Sequence, residues 1–163
     1  MKKRNIDTIK IEVIPGKGLS SYFGATIKDG VEYVHHVYIN DKHIWSDGVE
    51  IYEFENMLTA PGDYWPFCCS YCGEPGCNGI LTPVRCFHKG DDQLVLVIRE
   101  PLQDNCYICD LYEGGCKAKS SDPEYIDCPH RRGLYHAYCI EKESLRRQLL
   151  ALHEKFGDRL GKS

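Results

Sequence analysis

The ten cysteines of this chain all lie between Cys68 and Cys139. Cysteines that serve only as small hydrophobic residues would not avoid both ends of the chain. Two Cys-x-x-Cys steps occur among them, at Cys69–Cys72 and at Cys106–Cys109. Two thiols at this spacing can bind one ion from a tight loop, as in tetrahedral zinc sites. The pattern therefore predicts structural zinc, as one ion or two.

The first predicted zinc site begins at the Cys69-x-x-Cys72 step, which a glycine follows. Cys77 comes after a Pro-Gly turn that can return the chain to the same ion. A strand is predicted further along, and its alternation places Cys86 and His88 on one face. The predicted ligands are Cys69, Cys72, Cys77 and Cys86, with His88 as the substitute for Cys86.

The second predicted zinc site begins at the Cys106-x-x-Cys109 step and takes its other ligands from the residues up to 139. The predicted ligands are Cys106, Cys109, Cys128 and Cys139, with Cys116, His130 and His136 as substitutes. Spacing alone does not choose among these candidates, and one site shared by both steps stays open. Two further alternatives are that several cysteines are buried hydrophobic residues, or that an exported protein forms five disulfides.

The sequence lacks the usual signatures of catalysis. It contains no H-E-x-x-H, no H-x-E with P-C-x-x-C, no P-loop, no G-x-G-x-x-G and no G-x-S-x-G. Catalytic zinc keeps an open position, usually beside histidine and carboxylate ligands, whereas four-cysteine sets are structural. A non-enzymatic protein is therefore expected. A small metalloenzyme is the alternative, and it would require an open zinc position.

The charge balance favours a protein partner over nucleic acid. The chain carries 20 Lys and Arg against 24 Asp and Glu, a formal net charge of −4. Nucleic-acid binders need basic surfaces to neutralise phosphates, so a zinc-ribbon-like nucleic-acid-binding or regulatory protein is the less favoured alternative. An acidic surface suits a basic protein partner. Eleven tyrosines, several beside the cysteine loops, are also typical of protein interfaces.

The start of the chain bears on localisation. Met1-Lys2-Lys3-Arg4 is basic, but Asp7, Lys10 and Glu12 interrupt the apolar run that a secretory signal would need. No stretch approaches the ~20 apolar residues of a membrane-spanning helix. A cytoplasmic protein without membrane contact is therefore expected, in a compartment where cysteines stay reduced.

The hydrophobic periodicity predicts an α+β fold with an antiparallel sheet of five to seven strands. Residues 1–67 are predicted to form a β-rich half. It begins with a meander that turns at Asp29-Gly30 and continues into a short helix that carries Ile51, Phe54 and Leu58. Region 68–139 is Cys-rich around a central hairpin, and residues 106–139 are predicted to be irregular. An amphipathic helix is predicted over 140–157, and the whole chain, 1–163, is expected to form a single domain.

The segment Trp65–Ile80, which ends Cys-Gly-Glu-Pro-Gly-Cys-Asn-Gly-Ile, resembles a segment of small uncharacterised bacterial proteins. In those a Cys-Gly-x-x-Gly-Cys-x-Gly-Ile run lies between two β-rich halves, and a short amphipathic helix ends the chain. Some proteins of this type are immunity proteins of contact-dependent or polymorphic toxin systems. The doubled Cys68-Cys69 and the Cys-rich 106–139 segment depart from that pattern. The resemblance implies a non-enzymatic protein that binds a toxin tightly.

Overall fold

The computed structural model of this chain describes residues 5–16, 26–46, 48–69, 74–75, 80, 82–100, 102 and 134–157. Within these ranges the strands form two four-stranded antiparallel sheets and a two-stranded ribbon, accompanied by two helices. The predicted α+β class is confirmed at this level. The expectation of one sheet is wrong, because the strands divide between separate sheets.

The first sheet is built from the N-terminal strands. They are β1 (Ile9–Pro15), β2 (Thr26–Lys28), β3 (Val31–Ile39) and β4 (Lys42–Trp45). Strand β3 pairs with β1 along one edge, while β2 and β4 pair with the two ends of its other edge. Alternate residues of β1 and β3 are buried, which is the pattern that places one face of a sheet on a core.

Tight turns connect the strands of this sheet. Asp29 and Gly30 have φ of 52° and 75°, as the two central residues of a type I′ hairpin require. Asn40 and Asp41 repeat this at φ of 51° and 63°. The turn predicted at Asp29-Gly30 is therefore confirmed, and its geometry brings β2 back against β3.

Helix α1 (Ile51–Thr59) follows the first sheet and buries one face. Ile51, Phe54 and Met57 lie in the core, whereas Leu58 is only partly buried. The predicted helix is confirmed, with Met57 rather than Leu58 as its third buried residue. The residue before the helix, Glu50, has its pKa raised by burial and then by the charge of Glu53.

A two-stranded ribbon lies beside α1. Strand β5 (Gly48–Val49) pairs with β7 (Phe67–Cys68). The backbones approach closely here, since a Cβ on Gly48 would lie 2.7 Å from the Cys68 Sγ and 2.8 Å from backbone atoms. Only glycine fits at this position without a shift of the backbone.

The second sheet has the order β10-β9-β8-β6. Its strands are β6 (Gly62–Tyr64), β8 (Val84–Lys89), β9 (Gln93–Glu100) and β10 (Leu134–Glu141). The predicted central hairpin corresponds to β8 and β9. The prediction that residues 106–139 are irregular is wrong for β10, which pairs with β9 along its full length. Its alternating residues are aromatic and polar rather than aliphatic, so its strand character depends on pairing with a strand distant in sequence.

Helix α2 (Lys142–Phe156) leaves directly from β10 and packs against β1 and α1. Leu145, Leu149 and Phe156 are buried, as the apolar stripe predicted, and Gly157 ends the helix with φ of 59°. No helix within the described ranges is both long and apolar enough to span a bilayer.

Asp7 joins the two sheets just before β1 begins. Its N–H donates to the Cys139 carbonyl at 2.8 Å, and its Oδ2 accepts the Cys139 N–H at 2.8 Å. Its Oδ1 accepts a hydrogen bond from Asn40, at the end of β3, at 2.8 Å. Buried side chains from both sheets and both helices then form a continuous core.

Candidate functional site

The predicted zinc ligands fall partly within the described residues. Cys69, Cys86 and Cys139 are described, and all three are buried. The other predicted ligands and two of the substitutes lie outside the described residues: Cys72, Cys77, Cys106, Cys109, Cys116, Cys128 and His130. Within the described ranges, no group of three His, Cys, Asp or Glu side chains converges closely enough to hold a metal ion. Both zinc sites therefore stay predictions.

Cys86 and His88 lie on one face of β8, as alternation predicted. Both contact the Met57 carbonyl of α1, the Cys86 Sγ at 3.8 Å and the His88 Nε2 at 2.7 Å. A ring nitrogen that donates to a carbonyl carries a proton, so Nδ1 is the His88 nitrogen left for an ion. Burial raises the pKa of Cys86 to about 11, although the nearby Lys142 charge opposes the shift. This thiol is therefore protonated at neutral pH unless a metal displaces its proton.

Cys139 lies on the opposite face of the same sheet. Cys86 is paired with Leu96, whereas Cys139 is paired with Val95. Directly opposed residues share a face and consecutive residues do not, so these two thiols point to opposite sides. The Cys139 thiol lies 3.4 Å from the Gln93 Oε1. One ion cannot bind both thiols, which is compatible with their assignment to two ligand sets.

A cleft of about 450 Å³ lies between β4 and the ends of β9 and β10. Its lining combines apolar and ionisable side chains: Lys42, His43, Ile44, Trp45, Glu100, Leu102, Leu134 and His136. The sequence indicates His136 only as a substitute zinc ligand and does not reveal the cleft. No sequence motif marks it, because strands from both sheets contribute to its walls.

Glu100 is the centre of the polar contacts in this cleft. Its Oε2 accepts a hydrogen bond from the Lys42 Nζ at 2.6 Å, and its Oε1 accepts one from the Tyr138 hydroxyl. The His136 Nε2 lies 3.7 Å from Oε2. Burial alone would raise the pKa of Glu100, but the Lys42 and Tyr138 hydrogen bonds and the nearby positive charges together lower it.

Glu100 and Tyr138, the two acids of this cluster, have pKa values that are shifted away from neutral pH. The pKa of Glu100 lies below its ordinary value, while burial and the Glu100 hydrogen bond raise that of Tyr138. General acids and bases work best with a pKa near the operating pH. Glu100 and Tyr138 are consequently poorly suited to moving protons at neutral pH, and the Lys42–Glu100 contact joins the two sheets.

A pair of histidines lies on the outer surface of the first sheet. The His36 Nδ1 is 3.2 Å from the His43 Nε2, and the Tyr38 ring lies 5.2 Å from that of His43. The neighbouring His35 points the other way and is buried. No sequence motif marks this pair, because the second histidine lies in a different strand, β4. His43 is paired directly with Tyr38 across the Asn40-Asp41 hairpin, so His36 is its diagonal neighbour on the same face of the sheet.

The second sheet exposes an apolar outer face. Phe87 and Tyr135 have 48% and 60% of their surface exposed, and Val95 and Val97 lie half-buried between them. We call these four residues, with Ala137 and Arg85, the outer face; Cys139 and Arg99 lie on the same side of the sheet but are buried. On the side of the outer face next to β6, the Arg85 Nε lies 3.1 Å from the Asp63 Oδ1. The outer face thus has an apolar centre with a charged margin.

Comparisons of the chain with protein families, with curated proteins and with solved structures gave no match.

Proposed function

We propose that this protein is a non-enzymatic protein-binding module whose Cys-rich loops are held by structural zinc. In its most concrete form it is a cytoplasmic bacterial immunity protein that blocks a toxin by occlusion. The observation that supports a binding role is the exposed outer face of the second sheet. The Trp65–Ile80 resemblance supports the immunity role.

The outer face has the composition of a recognition surface. Phe87 and Tyr135 supply aromatic area, and Val95 and Val97 fill the space between them at the centre of the sheet. Contiguous exposed apolar surface on a protein marks sites of association. Aromatic side chains and arginine are enriched in such interfaces, with polar groups at the rim. Arg85, paired with Asp63, supplies that rim on the β6 side.

The cleft around Glu100 supports the non-enzymatic part of the proposal. The Glu100 carboxylate already accepts hydrogen bonds from Lys42 and Tyr138. The pKa of Glu100 is lowered and that of Tyr138 is raised, so both are shifted away from neutral pH. An acid–base catalyst would need the opposite tuning. The net charge of −4 suits a basic partner, because complementary fields accelerate encounter.

The test is protection of bacterial cells that express the toxin encoded beside this protein's gene. Wild-type protein should restore growth and should co-purify with the toxin. Phe87→Glu replaces an exposed aromatic ring of the outer face with a charge, so it should weaken toxin binding at least tenfold. Leu150→Glu is the matched control, since Leu150 is 57% exposed on α2, away from this sheet.

Circular dichroism would first establish that both variants fold. Failure of the wild-type protein to protect would contradict the immunity role. Equal binding by wild type and Phe87→Glu would contradict the assignment of the outer face, even if protection were seen.

A further inference from the structure

We propose that His36 and His43 form a two-imidazole site for a divalent transition-metal ion, separate from the cysteine sites. The facing nitrogens, His36 Nδ1 and His43 Nε2, are 3.2 Å apart. Two nitrogens bound to one ion at about 2.0–2.1 Å are separated by about 2.9 Å at a right angle and by about 3.4 Å at the tetrahedral angle. The observed separation lies inside that range, so the two nitrogens already have the spacing that one shared ion requires.

The present contact between the rings is a hydrogen bond that shares one proton. One facing nitrogen donates and the other accepts, depending on the tautomer. When an ion binds, the donating ring moves that proton to its other nitrogen, and both facing lone pairs turn to the metal. Burial and the neighbouring His43 charge lower the pKa of His36, which favours the neutral ring that an ion requires.

The surrounding charges are compatible with a cation. Glu12 lies directly across from His36 on β1, on the same face of the sheet, and its carboxylate attracts positive charge there. Lys10 pairs with that carboxylate, and its Nζ lies 5.8 Å from the Tyr38 ring centroid. Asp41 lies close enough to Lys10 to attract it. The charges beside His36 are thus the Glu12 carboxylate and the Lys10 ammonium that pairs with it, and His43 also lines the cleft that contains Lys42 and Glu100.

The chemistry of the ligands selects the class of metal. Neutral imidazoles suit Zn²⁺, Cu²⁺ and Ni²⁺ rather than Mg²⁺ or Ca²⁺, which prefer oxygen. With two protein ligands, water must complete the coordination shell, so binding is weaker than at a four-thiolate zinc site. Both histidines lie on paired strands, and this holds the rings in place before the ion arrives.

Ring ¹⁵N NMR during a Zn²⁺ titration tests this site on the full chain, in a reductant that does not bind zinc. Thiolate sites fill first, and the His36 and His43 ring nitrogens should then shift together with one common binding curve. His36→Gln and His43→Gln should each weaken this binding step at least tenfold. His153→Gln should leave it unchanged, because His153 contacts Glu55 on another surface.

Three outcomes would overturn the site. The ring nitrogens could remain unshifted at millimolar Zn²⁺, which would mean that the pair is only a hydrogen bond. The two rings could follow different binding curves, which would mean separate ions. His153→Gln could weaken binding as much as His36→Gln, which would mean non-specific surface binding. All three variants alter partly exposed side chains, so circular dichroism should show unchanged folds.

Discussion

The side chain of Gln148 on α2 accepts a hydrogen bond from the Ile11 N–H of β1 at 3.0 Å. The same amide donates to the Ile9 carbonyl at 2.7 Å. Among the strands that the structure describes, β1 pairs only with β3, so these backbone groups would otherwise face away from any of them. The helix thus supplies two of the hydrogen bonds that a further strand would make, and it covers part of an edge that could pair with another chain.

Replacing Gln148 with Leu should lower the free energy of unfolding by about 1–3 kcal/mol, because two partly buried backbone groups lose their partners. Urea denaturation followed by circular dichroism measures the change. Arg147→Ala on the exposed side of α2 is the control and should stay within about 0.5 kcal/mol of wild type. Equal midpoints for Gln148→Leu and wild type would show that water replaces the amide fully.

Replacing Glu100 with Gln should destabilise the protein by about 1–2 kcal/mol at pH 7, since two charge-assisted hydrogen bonds from Lys42 and Tyr138 are weakened. The pKa of Glu100 is lowered in the folded protein. Its contribution is therefore complete above the ordinary carboxyl pKa and is lost as the pH falls through the lowered folded value. Urea midpoints of the two proteins should converge in that acidic window, and a constant difference down to pH 2 would contradict the assignment.

His35 should make the protein sensitive to mild acid. Burial lowers its pKa from 6.5 to about 4, against a hydrogen bond to the Val49 backbone that raises it. The folded state then binds fewer protons than the unfolded chain, so stability falls as the pH decreases from 6.5 to about 4. At the lower end of this pH range, the loss in free energy of unfolding that is attributable to His35 amounts to about 3 kcal/mol.

Urea unfolding at several pH values checks this prediction. His35→Gln cannot titrate, so its stability should depend less on pH across that window, although its stability at pH 7 is lower. Leu150→Gln, at an exposed position of α2 that carries no ionisable group, is the control and should keep the wild-type pH dependence. If the stability of His35→Gln depended on pH as steeply as that of wild type, the acid sensitivity would belong to other groups.

Zinc should appear in native mass spectrometry of untagged protein purified under reducing conditions, as a mass increase of one or two ions. Removing the metal with a chelator should lower the thermal midpoint, because the ion binds the folded state preferentially. A metal-free protein whose mass falls through disulfide formation without reductant would contradict both the predicted zinc sites and the proposed cytoplasmic location.

Local patterns predicted most of the described elements. The Asp29-Gly30 turn depends on two residues that tolerate positive φ, and the stripe of Leu145, Leu149 and Phe156 depends on helical periodicity. Alternation likewise placed Cys86 and His88 on one face of β8. Strand β10 was missed because its residues lack an aliphatic alternation, and only its pairing with β9 makes it a strand.

The sequence by itself determined the α+β elements, the clustering of cysteines and the spacing on which the zinc prediction depends. The tertiary structure alone decided that Cys86 and Cys139 lie on opposite faces of a sheet. It also brought Lys42 to Glu100, 58 residues away. Turns and periodicity act between near neighbours, whereas these contacts depend on how distant strands pair and pack, which no local pattern encodes.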